Sequence, residues 1–380
     1  MTKRERLMAT LKGAAVDRPA VSFYEVGGWR LDPDDPDPYN VCNDPSWRPL
    51  IALAEQETDL IRMVKPLQRT RSCCGAGAGF TVETHEVDNA RFTRTRVTVG
   101  AVTLTSLDRR DRDVATTWNL EHLLKTEEDV AAYLQLPDEA IADAVDLNPL
   151  FAAEAEVGDR GIAMVDFRDP LYRVCSLLSM EDYTVLAMTR PDLFHPLLEQ
   201  AARHAWAEAE QVAAAFPGRL WRIVGSEYAS EPFLPPALYA DYWLRYTAPV
   251  IASVLRHGGY PRVHSHGRLR HILPLICEAG AAGLDPVEPP PQGDVTLGDV
   301  RREYGERLVL FGNIEAADIE SLPPAAFERK VEQALQEGTQ GEGRGFVLMP
   351  SACPYGRSIS AETRRNYETM VRLAQTWTTR

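Results

Sequence analysis

The sequence is short of paired cysteines. Its six, Cys42, Cys73, Cys74, Cys175, Cys277 and Cys353, contain no C-x-x-C, which excludes zinc-ribbon and thioredoxin-type spacings. In a chain of 380 residues they read as reduced cytosolic thiols, mostly structural; the neighbours Cys73 and Cys74 would bridge only with strain. No apolar run approaches the ~18 residues needed to span a bilayer. The charged start, Met1 to Leu7, lacks a signal-peptide core. The expectation is a cytoplasmic protein with no membrane partner. Positive charge is also short: the formal net charge is −14, whereas nucleic-acid binding needs a basic face. There is no G-x-S-x-G elbow. The one glycine-rich run, Gly75 to Phe80, fails the G-x-G-x-x-G spacing of a dinucleotide site.

What is present is ordinary globular composition, 44% hydrophobic and 25% charged, in a repeating order. Thr2 to Leu11 patterns as an amphipathic helix. Val21 to Val26 is the first strand and ends at Gly27-Gly28; a helix over Trp47 to Glu57 leads into a second, Leu60 to Val64. Arg91 to Asp108 alternates around Gly100 as a β-hairpin. Strands then recur at Ile162–Phe167, Leu220–Gly225, Arg262–His266, Gly283–Val287, Leu308–Gly312 and Gly345–Met349, nearly all followed by helical patterns. Eight strands separated by helices predict one (β/α)8 TIM-barrel domain over residues 1–380, with a hairpin insertion at about 91–108 between strands 2 and 3.

A barrel of this kind gathers its site at the C-terminal ends of the strands. Those ends carry Tyr24 and Glu25, Asp166 and Asp169, Glu227 and Tyr228, His264 and His266, Asp285 and Glu288, Asn313 and Glu315, and Cys353. In Val263-His264-Ser265-His266-Gly267 the two histidines are i and i+2, so both imidazoles leave one face of a strand. With Cys353 from the last strand they make a candidate three-ligand site with an open position, the catalytic zinc arrangement. Glu227 would be a fourth ligand or the proton-transfer group. The bland alternative is a hydrogen-bonded histidine pair and a small buried cysteine.

The chain resembles the uroporphyrinogen decarboxylase superfamily, its methyltransferase-type and uncharacterised branches more than the haem-pathway enzyme. The resemblance runs over nearly the whole length. It rests on Arg4 to Gly13 with Val16-Asp17-Arg18-Pro19, Thr98 to Val102, Gly225-Ser226-Glu227 through Tyr239, Val263 to Gly267, Glu278-Ala279-Gly280, Asp285-Pro286, Tyr304 to Leu308 and Gly312-Asn313-Ile314. The family fold is a TIM barrel. The haem-pathway enzyme carries an Arg-rich motif after its first strand; here the place reads Tyr24 to Arg30, which argues against a tetrapyrrole polyacid. Zinc-dependent relatives use H-x-C and a later Cys. Here that reads His264-Ser265-His266, with Cys353 downstream, and a neutral imidazole in place of a thiolate makes the bound anion a poorer nucleophile.

The resemblance implies a metal-dependent methyltransferase, with Zn2+ (or iron, cobalt or copper) on His264, His266 and Cys353 and Glu227 catalytic. Tyr24, Tyr228, Asp285 and Asn313 would line the pocket of a small-molecule substrate, with a thiol or a corrinoid, on a corrinoid protein, as methyl carrier. A homodimer fits the relatives' habit. The alternatives are a metal-assisted lyase, decarboxylase or hydrolase of a small acid without corrinoid, and a non-enzymatic binding protein on an old scaffold.

Overall fold

The structure is a computed structural model that describes residues 1–69, 78–341 and 345–378. The Cys73-Cys74 pair and the glycines Gly75 and Gly77 lie outside the described residues. Eight strands form one parallel sheet: β1 (Ala20–Val21), β2 (Leu60–Val64), β3 (Gly161–Arg168), β4 (Leu220–Val224), β5 (Tyr260–Ser265), β6 (Gly283–Pro286), β7 (Val309–Ile314) and β8 (Phe346–Pro350). Their order is β1-β8-β7-β6-β5-β4-β3-β2, so β2 to β8 lie side by side in sequence order, β1 pairs with β8, and the sheet curls with helices outside it. Parallel strands need such crossovers and are covered on both faces.

The sheet's two faces bury two separate apolar clusters. Ile61, Met63, Ile162, Met164, Leu220, Val309, Phe311, Val347 and Met349 pack with Leu7 and Leu11 on the concave side, and the larger cluster lies between the sheet and its helices. The helix Lys3–Leu11, held by a Thr2/Glu5 capping box, supplies that leucine pair. No residue-by-residue ladder joins β1 to β2. Asp59 clasps the two edges instead. Its N–H donates to Val21 O at 2.7 Å and its carboxylate accepts from Val21 N at 3.0 Å. Arg6 and Arg18 neutralise the carboxylate at 2.6 and 2.9 Å.

Two sequence expectations change. The first strand stops at Val21, and Glu25–Gly28 turns helically, with Gly27 at φ +84°, a value that suits glycine. The hairpin at about 91–108 is the middle of a four-stranded antiparallel sheet of Ala78–Val87, Ala90–Val99, Val102–Asp111 and Thr117–Glu121. Its tight turn at Gly100-Ala101, with Gly100 at φ +58°, is the part that the alternation revealed. The outer two strands are largely exposed, and their apolar alternation is confined to two short pairs, Phe80 with Val82 and Trp118 with Leu120.

Candidate active site

The site grows from β5. Arg262 and His264 are i and i+2 and share the concave face, and His266 follows where the strand ends. Parallel register sets His264 beside Asp285 of β6 and Arg222 of β4 beside Asp166 of β3. The side chains pair accordingly. Arg222 Nη1 donates to Asp166 Oδ1 at 2.7 Å, Arg262 Nε lies 2.8 Å from Asp285 Oδ1, and His264 Nδ1 lies 2.7 Å from Asp285 Oδ2. Two arginines and two aspartates thus form a buried floor in which each charge has an opposite partner.

Electrostatics fixes the state of His264. Burial, then the Arg222 charge, lowers its pKa to about 3, while Asp285, despite burial, falls to about 2 beside Arg262 and His264. The carboxylate is ionised and the imidazole neutral, so Nδ1 carries the proton it donates to Asp285 and Nε2 keeps its lone pair. Tyr24 covers the ring from one side at 5.9 Å, nearly parallel. Its own backbone sits at φ +55°, a strained value for a non-glycine residue, costing on the order of 1–3 kcal/mol. The Arg222 guanidinium lies 5.2 Å from the same tyrosine ring.

Above the floor the charge becomes acidic. His266, its ring centroid 4.6 Å from that of His264 and nearly perpendicular to it, bonds through Nδ1 to Glu288 Oε1 at 2.7 Å, and Glu288 Oε2 accepts Gly267 N at 2.7 Å. Burial pulls the His266 pKa down, but the Glu288 hydrogen bond and charge outweigh it and the net direction is up. Glu227 is raised by burial, and its Oε2 is buried with no hydrogen-bond partner. Glu315 rises to about 7 through burial and the Glu288 charge. Asp169, at the N-terminus of the helix Pro170–Cys175, rises to about 7 through burial, opposed by Tyr172 N–H and assisted by the Glu227 charge.

The remaining expected residues have other partners. Tyr228 packs edge-on against Tyr172 and Tyr183. Asn313 Nδ2 donates to Val287 O at 3.2 Å, so that part of its amide holds the loop after β6. Cys353 is not gathered with the histidines. Its thiol is bonded to Glu25, and burial together with that carboxylate pushes its pKa far up. Among the described residues no three His, Cys, Asp or Glu side chains are grouped to hold a metal ion. The expected His264/His266/Cys353 set is therefore arranged only in part. Both imidazoles have Nδ1 tied to a carboxylate and Nε2 left over, the orientation that metal-binding histidines take, and the third ligand is out of place.

Sequence reasoning missed Arg222 and Arg262, because the search stopped at strand ends and these lie within strands. The signal was there: Arg262 continues the i, i+2 series of His264 and His266. Charged residues at alternate positions of an otherwise apolar buried strand mark a polar layer.

Fold and site together define a parallel α/β protein with its ionisable groups at the C-terminal strand ends. Residues 155–372 match the family model for uroporphyrinogen decarboxylase (URO-D), more than half of the chain, and the chain belongs to that family. It is 30% identical over 168 residues to uroporphyrinogen decarboxylase of Nitrosospira multiformis and 28% identical over 166 residues to that of Coxiella burnetii. Each match covers 42% of this chain and 42% of the relative, so it spans less than half the length of either protein. A methyltransferase from Methanosarcina mazei has a similar fold, with TM-score 0.58 and 15% identity over 98% of both chains. No helix among the described residues is long and apolar enough to cross a membrane.

Proposed function

We propose that this chain is a methyltransferase-type enzyme on a closed (β/α)8 barrel. It would pass a methyl group between a small substrate and a thiol or corrinoid carrier, with Glu227 and His266 handling the proton. The observation that carries this is the Glu227 carboxyl: raised by burial, one oxygen without a partner, in the field of His266. A carboxyl held protonated above its ordinary range is a general acid. As the acceptor's electron pair attacks the methyl carbon, the bond from that carbon to its heteroatom breaks. The pair stays on the heteroatom, and Glu227 supplies the proton that neutralises it. His266, held by Glu288, would reprotonate Glu227.

The floor supports methyl transfer over decarboxylation of a polyacid. Arg222 and Arg262 are already paired with Asp166 and Asp285, and the rim adds Glu25 and Glu288. A polycarboxylate would meet like charge there, at a cost. Transfer of a methyl group from a small O-methyl donor to cob(I)alamin or to a thiol, compared between the native chain and Glu227→Gln, tests the reading. It expects a loss of about 10²–10⁴-fold in the variant. Activity that ignores both corrinoid and thiol and releases carbon dioxide from a small acid would instead favour a lyase.

A second reading keeps a divalent metal, zinc first. It is favoured by the two carboxylate-tied imidazoles, whose Nε2 atoms would be its ligands, with Cys353 or Glu227 as the third. Metal analysis of the purified chain and of a His264→Ala/Cys353→Ser variant decides it. Stoichiometric metal lost in the variant supports this reading, and no metal in either removes it.

A further inference from the structure

A cavity of about 110 Å3, open to solvent, lies outside the sheet, against the helices Pro170–Cys175 and Pro191–Ala215. Phe80, Leu123, Ile141, Leu177 and Leu197 supply apolar wall. Its volume is close to the roughly 150 Å3 of an apolar cavity that admits a benzene ring, whereas packing voids in protein interiors rarely exceed a water molecule. None of its lining residues belongs to the His264/Glu227 site.

The polar groups in that wall limit the occupant. Arg173, the one arginine or lysine among the described lining residues, is already paired with Glu208 at 2.5 Å and Arg168 O. His204 Nε2 lies 3.3 Å from Asp138 Oδ1 but makes no hydrogen bond, and is a buried unpaired atom in the wall. Gln200 is 5% exposed, and its amide oxygen is buried and accepts no hydrogen bond. A buried acceptor left unpaired is unfavourable until a donor reaches it.

We propose that this cavity is a binding site for an uncharged ring compound carrying one O–H or N–H donor, its ring among the apolar side chains and its donor on Gln200. Calorimetric titration of the full chain with 2-naphthol and with 2-methoxynaphthalene, which lacks the donor, tests it. The expected result is saturable one-to-one binding of 2-naphthol at least fivefold tighter than its ether. Gln200→Leu should bring the two probes level, and Ala201→Phe, which fills the cavity, should abolish binding of both. Absence of saturable 2-naphthol binding, equal affinity of the native chain for the two probes, or unchanged binding in Ala201→Phe would overturn it. The two-probe comparison on the native chain decides the matter even where a variant does not fold.

Discussion

The carboxylate of Asp169 occupies the space that a side chain on Gly225 would need: a Cβ there would lie 2.0 Å from Asp169 Oδ1. This contact locks the end of β4, and with it Glu227 two residues on, against the helix that follows β3. Trp243 Nε1 secures the other oxygen of Asp169 at 2.8 Å.

Gly225→Ala should therefore destabilise the fold by about 2–4 kcal/mol, combining overpacking with the strain of φ +137°. Gly218→Ala is the control. It shares a positive φ, +71°, but its Cβ would meet nothing within 4 Å, so only the backbone term of roughly 1 kcal/mol remains. Urea denaturation of both variants measures the difference.

Asp169 also sets a pH dependence. Its pKa is raised from 3.8 to about 7 in the folded chain, so the folded state holds a proton that the unfolded state gives up. The resulting stability is complete below pH 3.8 and is lost as pH rises through about 7. Asp169→Asn, which keeps an acceptor oxygen, should flatten the decline in stability between pH 5 and pH 8. Denaturation midpoints across that range check it, and an unchanged slope would point to another group.

The Asp59 clasp should be a major source of stability. Asp59→Ala leaves the buried Arg6 without one of its two carboxylates and Val21 N without its carboxylate acceptor. Removing one member of a buried ion pair costs about 3–5 kcal/mol. Chemical denaturation should show that loss, and a change below 1 kcal/mol would mean that the two sheet edges are held by other contacts.

Cys353 separates the two readings of the site. With its thiol on Glu25 rather than with the histidines, Cys353→Ser should change methyl transfer by less than about threefold under the acid–base account. The metal account with Cys353 as third ligand expects loss of metal and activity together. Activity and metal content of one preparation read both.

The eight strands were legible because their runs are largely apolar, are buried and end at a break: Leu60 to Val64 and Phe346 to Pro350 are buried throughout. The i, i+2 histidines were legible for the same geometric reason, and the structure sets their rings 4.6 Å apart. What pairs with what was not legible. That Asp285 faces His264 depends on the register between β5 and β6, and the Cys353–Glu25 bond joins residues from opposite ends of the chain. Sequence put Cys353 on the rim beside the imidazoles; the turn over Glu25–Gly28, where a longer strand was expected, presents a carboxylate to it instead.

The central claim is that Glu227 holds its proton beyond the ordinary carboxylate range, in the field of His266. Carbon-13 NMR of side-chain-labelled glutamate, titrated in the native chain and assigned by subtraction of Glu227→Gln, measures this without any substrate. The account predicts that the Glu227 signal titrates above 4.5, the ordinary value for glutamate, and moves further up when Glu227's cationic neighbour is removed in His266→Ala. A Glu227 signal that titrates at or below 4.5, unchanged by His266→Ala, would contradict it.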